Sequence, residues 1–89
     1  MSDHATITVL LFGACREAAN TEQFSLETAP DANGQFSVAT AFAAIKSRYP
    51  QLARFERSAL FAVNEQHARQ QDQLKSGDTL AIFPPVSGG

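Results

Sequence analysis

The chain has 89 residues, 44% of them hydrophobic and 18% charged, with a formal net charge of −2. That describes one small acidic domain with a modest core: it leaves no room for a deep-pocket enzyme or a two-halved dinucleotide fold, and 7 Lys and Arg lack the basic footprint of a nucleic-acid binder. A single cysteine excludes an internal disulfide and a multi-cysteine zinc site, and the absence of a membrane span or signal-like start makes the cytoplasm the expected location.

Thr6 to Phe12 (TITVLLF) is a β-branched, apolar run, the composition of a central strand. Gly13 interrupts it, and Ala14 to Asn20 has the propensity of a short helix. Glu22 to Glu27 alternates, with Phe24 and Leu26 on one face and Gln23, Ser25 and Glu27 on the other, which predicts a half-buried strand antiparallel to the first. Ala29 to Gln35 collects Pro, Asp, Asn and Gly into a surface loop turning at Asn33-Gly34. Ser37 is placed to cap a helix over Val38 to Tyr49, whose apolar stripe is Val38, Ala41, Phe42, Ile45 and Tyr49. Pro50 ends that helix, and Gln51 to Arg57 forms a further helical turn with Leu52 and Phe55 inward. Ser58 to Val63 reads as a third strand and Asn64 to Gln71 as a polar connection. Lys75-Ser76-Gly77-Asp78 is a turn leading into the last strand, Thr79 to Phe83.

This order predicts an α+β fold in which a mixed sheet wraps one main helix, with the first and last strands paired at its centre. That is the ubiquitin-like β-grasp arrangement. Residues 1–83 form the domain and residues 84–89 an extended, flexible tail.

The tail is the informative part. Pro84 and Pro85 fix φ and aim the chain away from the sheet. Six residues from Pro84 to Gly89 reach about 20 Å when extended. Gly88 and Gly89 lack Cβ, so such an end enters a channel too narrow for other residues. An unhindered glycine carboxylate is a substrate for adenylation by a partner using ATP, and the mixed anhydride is then open to attack by sulfur. A frayed, functionless end is the competing explanation.

Three segments carry a family resemblance: Val9 to Ala19 (VLLFGACREAA), Val63-Asn64-Glu65, and Leu74 to Gly89 (LKSGDTLAIFPPVSGG). Together they resemble the small subunits of molybdopterin synthase, a family of ubiquitin-like sulfur carriers. The resemblance implies that the Gly89 carboxylate is adenylated by an activating enzyme related to the ubiquitin-activating enzymes and converted to a thiocarboxylate. It also implies that the tail (Pro84, Pro85, Val86, Ser87, Gly88) enters a large synthase subunit. There the sulfur passes to a cyclic pyranopterin precursor to build a dithiolene. The chain would be non-catalytic alone, would bind no cofactor or metal, and would work in a complex of two small and two large subunits.

The same resemblance assigns Phe12 and Phe83 to a partner-facing surface, and Arg16 to an ion pair with an acid on the partner or within the fold. Ordinary core is the alternative for Phe12, and a solvated surface arginine for Arg16. Three positions depart from the family: His67 stands where relatives carry an apolar contact, Asn20 where they carry glycine, and the Ala29 to Gln35 loop is long.

Other chemistry is weakly signalled. Cys15, beside Arg16, lacks any His, Asn or Asp companion and reads as structural. His4 and His67 have no metal-ligand spacing, and Asp72 and Asp78 sit in turns. Two other functions fit the tail: sulfur carriage for another pathway, such as thiamine thiazole formation or thiolation of tRNA or metabolites, and a role as protein modifier or binding module. Thiazole carriers lack the Pro-Pro-Val approach to Gly-Gly.

Overall fold

In a computed structural model, which describes residues 4–85, the apolar run at the start of the chain becomes the centre of a five-stranded sheet. The elements are β1 (Ala5–Leu11), α1 (Gly13–Ala19), β2 (Gln23–Thr28), α2 (Val38–Arg48), a 3₁₀ helix (Pro50–Phe55), β3 (Leu60–Val63), β4 (Gln66–Ala68) and β5 (Thr79–Phe83). Strand order is β2-β1-β5-β3-β4. β1 and β5 run parallel, with Val9 opposite Leu80 and Leu11 opposite Ile82, while the other pairs are antiparallel. This is the mixed sheet expected from the pattern, with the two ends of the domain joined at its middle.

Strand periodicity decides what is buried. Ile7, Val9 and Leu11 of β1, Leu26 of β2, Phe61 of β3, and Leu80 and Ile82 of β5 point to one face. There they meet Val38, Ala41, Phe42 and Ile45 of α2, and Leu52 and Phe55 of the 3₁₀ helix. Each large apolar side chain removed from water contributes roughly 1.5–3 kcal/mol, which makes this layer the main source of stability. α2 starts where predicted, because the Ser37 hydroxyl accepts a hydrogen bond from the Thr40 N–H at 3.1 Å. It stops at Arg48, one residue early, since Tyr49 precedes Pro50 and is pushed out of helical backbone. The Tyr49 ring packs instead against Phe24 at 4.9 Å, with the Arg48 guanidinium over both rings.

Two expectations are corrected. The third strand begins at Leu60 rather than Ser58, because the Ser58 and Ala59 N–H groups donate back to the Phe55 carbonyl and close the 3₁₀ helix. The polar connection contains β4, joined to β3 by a tight turn in which Asn64 and Glu65 hold φ of 51° and 71°. Asparagine tolerates that region, whereas glutamate rarely enters it, so composition gave no turn signal. The Asn64 side chain secures the turn: its Oδ1 accepts from the Thr79 N–H at 3.0 Å and its Nδ2 donates to Asp78 Oδ1 at 2.9 Å.

Elsewhere local chemistry follows the sequence. Asn20 closes α1 in a left-handed conformation, φ 57°. The Asp31 carboxylate accepts from the Asn33 and Gln35 N–H groups to shape the loop. Asp72 and Asp78 accept from the Arg69 and Lys75 N–H groups in their turns. No described helix is long and apolar enough to cross a membrane. The expectations for Val86, Ser87, Gly88 and Gly89, including tail flexibility, lie outside the described residues.

Candidate functional site

The parallel pairing of β1 with β5 brings both strands to the same end of the sheet, and antiparallel β3 starts there. Phe12 follows β1 and extends the ladder, its N–H donating to the Ile82 carbonyl at 3.1 Å. Phe83 ends β5 and lies opposite Leu60 in register. Alternation sends Leu11, Phe61 and Ile82 into the core and leaves Phe12, Leu60 and Phe83 on the outer face.

The Phe12 and Phe83 rings stack with centroids 4.6 Å apart and planes 9° from parallel. Phe12 and Leu60 are each 40% exposed, and they are the exposed large hydrophobics among the described residues. The core alternative for Phe12 is therefore excluded. The patch lies at the root of the Pro84-Pro85 segment. Sequence patterning does not single out Leu60, because the Leu60-Phe61-Ala62-Val63 run is apolar throughout and conceals which residues face outward.

Arg16 is exposed on α1, its Nη1 4.0 Å from Glu22 Oε1. A pair so open to water is worth at most about 1 kcal/mol. With Glu17, Asn20 and Thr21 these residues line a shallow, open depression at the side of the domain. Cys15 is fully buried in the core. Burial raises its thiol pKa above the ordinary value of 9.0, and the Arg54 guanidinium, rather than neighbouring Arg16, opposes the rise. A buried neutral thiol is a poor nucleophile. His67 is exposed on β4 opposite Ala62, and His4 Nδ1 is 3.8 Å from Glu27 Oε1. Among the described residues, no group of three or more His, Cys, Asp or Glu side chains is placed to hold a metal ion.

A β-grasp sheet clasping one main helix, with an apolar patch at the root of a Pro-Pro segment, defines a ubiquitin-like protein. The ThiS family model matches residues 9–89, and the chain belongs to that family. The chain is 36% identical to the molybdopterin synthase sulfur carrier subunit of Chlamydomonas reinhardtii over 85 residues, covering 93% of this chain and 98% of the relative. Its fold is similar to the solution structure of small archaeal modifier protein 1 from Methanosarcina acetivorans, with a TM-score of 0.74 and 28% identity over 97% of this chain and 98% of that one. It is also similar to a chain in the complex of subunits 1 and 2 of the molybdopterin-converting factor from Helicobacter pylori, with a TM-score of 0.59 and 25% identity over 94% of this chain and 99% of the other.

Proposed function

We propose that the chain is the sulfur-carrier subunit of a molybdopterin synthase, with residues 1–83 as the docking domain and residues 84–89 as the sulfur-bearing tail. The observation that carries this reading is the 36% identity, across nearly the whole of both chains, to a relative bearing that name. The patch of Phe12, Leu60 and Phe83 at the tail root supports it, since an exposed stacked pair is the kind of anchor a partner covers.

In this mechanism the Gly89 carboxylate oxygen attacks the α-phosphorus of ATP on an activating enzyme, and pyrophosphate leaves. Hydrosulfide from the sulfur source then attacks the carbonyl carbon and AMP leaves, giving the thiocarboxylate. The domain docks on the large subunit through Phe12, Leu60 and Phe83, and Arg16 borders that contact. Pro84, Pro85, Val86, Ser87 and Gly88 carry the sulfur along a channel. Tethering supplies the sulfur at high effective concentration while the partner provides the catalytic groups. The acceptor is the cyclic pyranopterin precursor, the working complex has two small and two large subunits, and the location is cytoplasmic. The chain binds no cofactor, and ATP belongs to the activating enzyme.

Intact-protein mass after incubation with ATP, a sulfur source and the activating enzyme tests the reading. The expected change is a gain of one sulfur and loss of one oxygen, absent in a chain lacking Gly89 whose melting temperature is unchanged. No change with a demonstrably active enzyme overturns it. Loss of molybdoenzyme activity on deletion distinguishes this pathway from other sulfur pathways. The likeness to small archaeal modifier protein 1 favours a second reading as a protein modifier, which predicts higher-mass conjugates joined through Gly89 to lysines.

A further inference from the structure

The Leu11–Ile82 pairing, carried one and two residues on, sets Phe12 against Phe83 and Gly13 against Pro84. The backbone ladder ends at the Phe12 N–H to Ile82 carbonyl bond, because proline has no N–H to extend it. Ring contacts take over. Phe83 stacks on Phe12, and the Pro84 ring lies over Gly13 so closely that a Cβ built there would be 3.0 Å from Pro84 Cγ and 3.4 Å from Cδ.

Gly13 also holds φ +55°, the left-handed backbone that turns β1 sharply into α1. Glycine is thus required twice at one position, once by the turn and once by the proline. Gly34, at φ +77°, and Gly77, at φ +95°, have nothing within 4 Å of a built Cβ. Their glycines serve only the backbone.

We propose that Gly13 is a positioning residue for the root of the tail: its missing Cβ forms the seat of the Pro84 ring, and the seated ring sets the direction in which the Pro84-Pro85 segment leaves the sheet. A side chain at position 13 forces the ring outward by a few tenths of an ångström. Pro84-Pro85 is stiff, so the displacement becomes a tilt. The consequence for sulfur delivery rests on the sulfur-carrier reading, but the seat itself does not.

Gly13→Asn separates the two demands, since asparagine accepts left-handed backbone, as Asn20 and Asn64 do here, yet carries a Cβ. Single-turnover sulfur transfer is measured with the thiocarboxylated full chain bound to its large subunit, beside affinity for that subunit. Gly13→Asn is expected to leave affinity within about twofold and to slow transfer about tenfold, a misplacement effect. Gly34→Ala, which has strain but no neighbour, stays at the wild-type rate. Pro84→Ala removes the ring, so adding Gly13→Asn to it causes no further slowing.

A wild-type transfer rate for Gly13→Asn, equal slowing with and without the Pro84 ring, or parallel loss of affinity and rate each overturns the seat. If the wild-type chain takes up no sulfur, the carrier reading fails. The seat is then judged by Cα–Hα residual dipolar couplings at Pro84 and Pro85, which must change in Gly13→Asn and not in Gly34→Ala. Unchanged couplings overturn it.

Discussion

Two phenylalanine pairs in this molecule do opposite work. Phe42 of α2 meets Phe61 of β3 edge to face, with centroids 5.6 Å apart and an interplanar angle of 77°, and both rings are buried. Phe12 and Phe83 stack nearly parallel at 4.6 Å on the outer face, where Phe12 stays 40% exposed. The first pair joins helix to sheet and removes apolar surface from water. The second brings two rings together where water still reaches them, and aromatic contact alone gives only about 0.5–1.5 kcal/mol. Residue type is shared, so the difference lies in which side of the sheet the rings occupy, the helix-covered core or the open outer face. Burial builds the fold, and exposure at the tail root leaves a surface for something else to cover.

The contrast is sharpest at Phe42. Phe42→Ala leaves a cavity between α2 and β3 and is expected to cost about 3–5 kcal/mol, a large part of a stability of order 5–10 kcal/mol. Urea unfolding followed by far-ultraviolet circular dichroism measures it. A loss below about 1 kcal/mol would mean that the two pairs do not differ in kind.

Phe83→Ala makes the reverse case. It is expected to lower unfolding free energy by only about 1–2 kcal/mol, mostly through lost stacking, and to weaken binding to the large subunit about 10- to 100-fold. Titration calorimetry with that subunit reads the second effect. Binding unchanged beside a stability loss as large as that of Phe42→Ala would return the outer pair to the core.

How much of this contrast is legible without coordinates differs between the two regions. The helix half of the buried pair can be read from periodicity, since Phe42 lies on a stripe at spacings of three and four and Ser37 marks where the helix starts. The pairing of the first and last strands follows from their composition. The outer pair cannot be read that way, because Thr6 to Phe12 and Leu60 to Val63 are too uniformly apolar to reveal their outward positions. Phe12 and Phe83 were identifiable through family resemblance and nearness to the prolines. Leu60 had neither signal. β4 was hidden for a different reason: three residues cannot establish alternation, and its turn uses a glutamate at φ 71° where composition would call for glycine.

The smallest expected effect tests the buried side of the comparison through a titrating group. Cys15 lies only three residues beyond exposed Phe12, yet it is fully buried. Burial raises its thiol pKa in the folded protein, with Arg54 opposing in part, whereas the unfolded thiol keeps its ordinary value. The folded state therefore holds this proton more tightly than the unfolded state. Its contribution is fully present below the unfolded value and is lost as pH climbs toward and through the raised folded value. Replacing the thiol by Cys15→Ala removes that dependence while leaving other titrating groups in place. The stability of the wild-type chain relative to Cys15→Ala, measured by urea unfolding between about pH 8 and pH 10, should fall as pH rises. A difference that stays flat across the range would show that the thiol is less sheltered than its place on the buried face of α1 implies.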